Sequence, residues 1–400
     1  MTDIFTSPWQ ELRTNFLLPI VAAVPLSLLA NSWTSNSFVF KGQPLSVLIP
    51  LVACALAIVM WVSHQGKSQI EVRARIFIMG LLALWAWTFI LDHARNTSMN
   101  YSTFVVPFTL VLILVKRPST QQIVTSMDLL GWSTIAVTVA HEVLTYVHGT
   151  STETGATLFS GLAWNRAIDT SWHGPFEYVS FAGIAGAFLL LYGLTRKSLT
   201  RLVFVGFGLL LVYEAGQLTP ILGILSGLLV FAVFILQRRM RISNFTAALL
   251  VIAGEIALFA CAIAVNKTLS GRTDIYVSYL QLWKSNLFTG VGYPGINQAM
   301  NDGLIPSWIH DAHNIFIDIA TKYGLIGLVL LIAVVIASIT LEWGQATKGR
   351  LTGIVIGLAF ISMGMLESFG NWNYLTLPWT WMILATLWSS SFGLTKQDSI

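Results

Sequence analysis

Twelve apolar runs, each near the length needed to cross a bilayer, constrain this chain more than any other feature. They lie at about 15–32, 44–63, 75–92, 101–116, 123–147, 176–194, 201–217, 218–236, 245–266, 313–340, 351–369 and 374–393. In lipid a backbone has no water to bond, so such runs must close their hydrogen bonds internally as helices. Composition agrees: hydrophobic residues are 55% and charged residues 10% of the 400, where a soluble domain carries about 25% charged. The expected fold is all-α and polytopic, with about 12 transmembrane helices and residues 1–400 forming a single integral membrane domain. The first run follows Arg13 without a small-residue cleavage site, so it reads as a retained helix. Cys54 and Cys261 both lie inside apolar runs and offer neither a disulfide framework nor metal-ligand spacing.

The 22 basic residues set orientation. Alternating sides from the N-terminus puts Arg13, Lys67, Arg73, Arg75, Lys116, Arg117, Arg196, Lys197, Arg201, Arg238, Arg239, Arg241, Lys348, Arg350 and Lys396 on one side. Lys41, Arg95, Arg166, Lys267, Arg272, Lys284 and Lys322 fall on the other. The richer side is cytoplasmic, with both termini on it, and the net charge of +4 reflects these loops rather than nucleic-acid affinity. The inner loops are short and basic, with no P-loop. His93, His141, His148, His173, His310 and His313 then gather at the outer interface, with Asp92, Glu142, Asp169, Glu177, Glu214, Asp274, Asp311 and Asp318. Chemistry is therefore expected on the outer face.

Two outer loops are long. The one at about 148–175 carries Arg166, Asp169 and His173; the one at 267–312 is the longest in the chain. Within it, Ile275, Tyr279, Leu282 and Trp283 recur at helical spacing, predicting an amphipathic helix on the membrane surface. Ser270 is a plausible N-cap, which puts Arg272 in the first turn. A cation there is unfavourable beside the positive helix end unless an anion such as a diphosphate shares the space. Gly290 to Gly295 fits a dinucleotide-binding pattern, but no strand precedes it and Pro294 interrupts it, so it reads as a turn. Next comes a polar cluster of His310, Asp311, His313 and Asn314, opening an apolar helix with His313, Ile317, Ala320, Gly324, Gly327 and Leu331 on one face. Gly324 and Gly327 are expected to let a neighbouring helix come close and hold that turn firmly.

The pattern His313-Asn314, then Gly324 and Gly327, resembles the signature of the O-antigen ligase family, whose relatives include O-antigen and exopolysaccharide polymerases. Ser270-Gly271-Arg272, Leu282-Trp283 and Gly290-Val291-Gly292 are similar to that family's large periplasmic loop. The resemblance covers roughly residues 160–370. It implies a membrane-type (GT-C-like) glycosyltransferase in the bacterial inner membrane, with its active site facing the periplasm and no metal or cofactor. The partners it implies are an undecaprenyl-diphosphate-linked glycan donor, a lipid A–core or glycan acceptor, and membrane lipids. His313 takes the place of the family's essential histidine and Arg272 that of its loop arginine. The chain departs at Glu214-Ala215-Gly216-Gln217, where many members carry Ser-Arg-Gly; Arg166 or Lys322 is the candidate substitute.

On this reading His313 is the general base and Arg272 bears the charge of the leaving diphosphate, with inversion at the anomeric centre. Arg166, His310, Asp311, Asn314, Asp318 and Lys322 form the surrounding substrate-contact set, with Asp311 or Asp318 holding the histidine tautomer. Blander readings stand beside these: His313 as a structural interfacial histidine, Arg272 as a headgroup anchor, and Asp318 with Lys322 as a simple i, i+4 ion pair. Acceptor identity stays open between ligase, polymerase and protein O-oligosaccharyltransferase. Glu255, alone near mid-membrane, supports a different class, a lipid-linked glycan transporter, unless it is a hydrogen-bonded core residue.

Overall fold

The computed structural model describes residues 13–35, 44–63, 72–95, 105–148, 179–196, 198–265, 272–307, 309, 311–339, 348–368 and 377–390. Among these residues it is all-helical, with fourteen helices and no strand. In chain order they are α1 (Leu17–Ser35), α2 (Pro44–Ser63), α3 (Val72–Ala94), α4 (Val105–Val115), α5 (Thr120–His148), α6 (Val179–Thr195) and α7 (Ser198–Ala215). Then follow α8 (Leu218–Met240), α9 (Asn244–Val265), α10 (Arg272–Ser285), α11 (Gly292–Asn301), α12 (Ile315–Ser338), α13 (Lys348–Gly364) and α14 (Leu377–Ser390). Each expected apolar run carries one helix, and α10 and α11 lie in the long loop. Five helical stretches are long and apolar enough to cross a membrane: Ala74–Ala94, Thr120–Val143, Leu218–Met240, Asn244–Ala264 and Ile315–Ser338. The chain is a multi-pass membrane protein.

One large core joins the helices. A Cβ at Gly186 of α6 would meet the carbonyl of Gly208 in α7, so those two backbones lie in contact, as small residues permit between membrane helices. Phe188, Tyr192, Phe360, Trp379 and Trp381 fill the centre, and α3 packs along α12 while α13 packs between α8 and α14. Helix α9 lies at the edge of this core, burying Ala247 and Val251 in it and leaving Leu249, Ile252, Ile256 and Ile263 exposed as lipid-facing residues should be. Its Glu255 accepts from Ser226 of α8, and from Ser362 of α13 at 2.8 Å. Glu255 is thus half-buried and hydrogen-bonded, with both carboxylate oxygens spent on neighbouring hydroxyls.

A second, smaller core sits under the loop helices. Ile275 and Tyr279 of α10 bury against Ile296 and Ala299 of α11, with Ile305, Ile309 and Ala312, and Leu282 and Ile317 pack at the margin. The apolar face of α10 is therefore spent on protein, not on a membrane surface as its periodicity predicted. The same spacing serves either partner, and α11 and the start of α12 supply the closer one. In Gly290–Gly295 the turn lies at the start: Gly290 has φ +68° and Gly292 φ +65°, and α11 begins at Gly292 with Pro294 in its first turn.

Helix α12 is not continuous. Gly324, at φ 74° and ψ −170°, breaks it, and a Cβ there would overlap the Phe288 carbonyl. What comes close at Gly324 is thus the loop after α10, where a neighbouring helix was expected. At Gly327 a Cβ would meet Tyr323 and Ile319 of the same helix, so this glycine accommodates the bend rather than a partner. The break frees carbonyls that an intact helix would use. Thr321 O accepts from Val291 N (2.7 Å), Lys322 O from Arg95 Nη1 (2.9 Å) and Tyr323 O from Trp87 Nε1 (2.9 Å).

Candidate active site

The loop before α12 is folded by side chains that bind backbone amides. Asn314 is the N-cap, its Oδ1 accepting from Phe316 N (3.0 Å) and Ile317 N (3.1 Å). Asp318 Oδ1 accepts from Ala312 N at 3.2 Å, and Asp311 Oδ1 from His313 N at 2.8 Å. These contacts hold His313 at φ +46°, a left-handed conformation that costs an L-residue about 1–2 kcal/mol. Such strain persists only where its surroundings over-determine it. The turn presents the imidazole toward the far end of α13.

Arg272 opens α10, as its placement after Ser270 predicted, and reaches that same end. Its Nη1 donates to Leu366 O and to Thr219 Oγ1 (3.4 Å), and its Nη2 lies 3.5 Å from Glu367 Oε2. The other oxygen of Glu367, Oε1, stands 3.1 Å from His313 Nδ1. One carboxylate therefore joins the imidazole and the guanidinium. Asp311 Oδ1 is 3.4 Å from the same Nδ1. Beside a carboxylate, Nδ1 carries the hydrogen, and Nε2 is left to meet an incoming group. Tyr276 closes the cluster, its hydroxyl 3.2 Å from His313 O and 3.2 Å from Met365 O. Met365 and Leu366 follow α13 directly, and carbonyls at a helix C-terminal end lack helical donors of their own, so cations are favoured there.

Glu367 is the residue that sequence reasoning missed. It stands 54 positions after His313, in a polar segment following an apolar run that alternation of sides brings to the same face. That alternation was the one signal able to find it. Glu367 supplies an anion beside Arg272.

Several expected contacts are redrawn. Asn314 uses Oδ1 on the helix start and Nδ2 on Met365 O (3.0 Å), so its amide is committed to the protein rather than to a substrate. Asp318 and Lys322 pair at 2.8 Å with 0% of either side chain exposed. The i, i+4 ion-pair reading is the observed one, and burial takes both side chains off the accessible surface. Asp311 and His313 are part-exposed and remain accessible. Arg166, His310, Asp169, His173, Glu177, Ser270 and Gly271 lie outside the described residues.

Asp311, His313 and Glu367 offer ligand atoms within 4.8 Å of one another. Arg272 already shares Glu367 and would repel a divalent cation held there, so the set reads as a hydrogen-bonded acid–histidine–acid cluster. The Glu367 contact, with help from Asp311, holds the His313 pKa above its ordinary 6.5 against the opposing effect of burial. Raised in this way, imidazolium stabilises the fold below pH of about 6.5, and that contribution is lost as pH climbs through the higher folded value. Glu367→Gln is expected to move the His313 titration to lower pH, read by NMR of labelled histidine in nanodiscs. An unmoved midpoint would assign the shift to Asp311 instead.

Residues 175–332 match the family described as O-antigen ligase. That match takes in α6 to α11 and the first part of α12, including Arg272, His313, Gly324 and Gly327, but it stops short of Glu367. No curated protein matches the chain.

Proposed function

We propose, from the match of residues 175–332 to the O-antigen ligase family, that this chain transfers a glycan from undecaprenyl diphosphate to the hydroxyl of a lipid A–core sugar. The observation that carries this reading is Glu367 shared between His313 and Arg272, a proton acceptor and an anion holder on one carboxylate. The reaction needs both. The acceptor oxygen attacks the anomeric carbon while its proton passes to His313 Nε2. The bond from that carbon to the phosphate oxygen breaks, and the diphosphate leaves with the electron pair on its lipid carrier. Attack opposite the leaving group inverts the anomeric centre. The imidazolium that forms lies beside Glu367 and Asp311, so the contacts that raise its pKa stabilise it. Arg272 donates to the departing diphosphate, as a fixed guanidinium is suited to do.

In this reading the site faces the periplasm of the inner membrane, supported by the bias of basic loops toward the opposite side. Lipopolysaccharide from a strain lacking the gene tests it. Polymer left on its lipid carrier beside bare core is the expected pattern. Core bearing one repeat would reassign the chain as a polymerase, and an unchanged ladder would remove both.

A further inference from the structure

We propose that the segment Asn286–Val291, between α10 and α11, is a wedge seated in the bilayer, with Leu287 and Phe288 packed among lipid acyl chains. The inference does not depend on the transferase reading. It begins from depth. Gly324 follows Ile315 by nine residues, so the docked segment lies about 13 Å along the α12 axis from the helix start at 1.5 Å per residue. Arg95, just past the end of the candidate span Ala74–Ala94, donates to Lys322 O beside Gly324, so the docked segment lies level with that end, where acyl chains meet headgroups.

Irregular backbone at such a depth is tolerated only if its polar groups are satisfied by protein. Five of this segment's six carbonyls meet that condition, all but Phe288 O. Leu287 O accepts from Leu325 N (2.8 Å) and Trp283 Nε1 (2.9 Å). Thr289 O and Gly290 O both accept from Arg95 Nη2, at 2.8 and 2.7 Å. Gly290 N donates to Asn286 O (2.8 Å) and Val291 N to Thr321 O. The side chains do the reverse: Leu287 is 43% and Phe288 63% exposed, although Phe288 is among the larger apolar residues in the chain.

A water-facing loop gains nothing from exposing a phenylalanine while sealing its carbonyls; a lipid-facing one requires both. Acyl chains are favoured over a second copy of the chain by continuity. Leu287 bonds to Leu325, and the next exposed residues down α12 are Ile326, Val329, Ile332 and Ile336, the lipid-facing stripe of a candidate span. The wedge then sets the height of the Arg272–His313 cluster relative to the headgroups.

The test uses full-length protein in liposomes with Cys54 and Cys261 replaced. A single cysteine at 288, or in a second variant at 287, carries a nitroxide. Oxygen concentrates in hydrocarbon and nickel chelates in water, so collision with each reports depth. The expected oxygen-to-nickel accessibility ratio at both positions matches Val329→Cys and is several-fold above Val277→Cys on the exposed side of α10. Nickel accessibility equal to that of Val277→Cys would overturn the proposal. So would shielding from both relaxants, which signals a protein partner over the segment. Transferase activity enters neither readout, so the wedge and the proposed function fail independently.

Discussion

Replacing His313 with alanine is expected to lower transfer by purified protein by about 10²–10⁴-fold, the usual worth of a positioned general base. The loss should appear in kcat. The turn that holds residue 313 is built from other side chains, with Asp311 and Asp318 binding backbone amides and Asn314 capping α12. Alanine at φ +46° carries the same strain as histidine there, so the helix should stay where it is. Only the imidazole and its tie to Glu367 are lost. His313→Gly separates the two effects, since it relieves the strain and still removes the base. Both variants should remain folded in the membrane, with His313→Gly melting no lower than His313→Ala. Transfer by His313→Ala at the wild-type rate would end the role assigned to this residue.

The helices were legible because lipid leaves a backbone few options. Twelve apolar runs became twelve helices, and Arg272, expected in a first turn, opens α10. Periodicity was less informative about what each face meets. Ile275 and Tyr279 recur as they would on a membrane-surface helix, yet they bury against α11, because apolar spacing does not name its partner. Gly324 was legible as a close approach but not as a break. A glycine inside an apolar run looks alike whether a helix packs on it or a loop enters it.

The site was half legible for a related reason. Local pattern singled out His313 and Arg272, which lie near capping signals. It had no access to Glu367, whose role depends on α13 ending where α8 and α10 begin. The polar residues closest to His313 in sequence were credited with substrate contact, whereas Asn314, Asp318 and Lys322 serve the turn itself. Holding a strained residue consumes its polar neighbours. Partners for the chemistry come instead from elements far along the chain.

Arg272→Ala is the second large effect, expected at about 10²–10³-fold, the cost of removing one donor aimed at developing charge. Unlike His313, this side chain also ties α10 to the end of α13 through Leu366 O and Glu367. Alanine therefore removes an anion holder and a fastening together, and Arg272→Lys divides them. Lysine keeps the charge but loses the planar fork that suits a phosphate, so it should restore packing more fully than rate. Limited proteolysis between α9 and α10 reads the fastening, and transfer reads the chemistry. If lysine recovers protease resistance while transfer stays tens of times below wild type, the guanidinium acts on the substrate. If rate and resistance return together, or if Arg272→Ala transfers normally, Arg272 is a strut and the charge of the leaving diphosphate is met elsewhere.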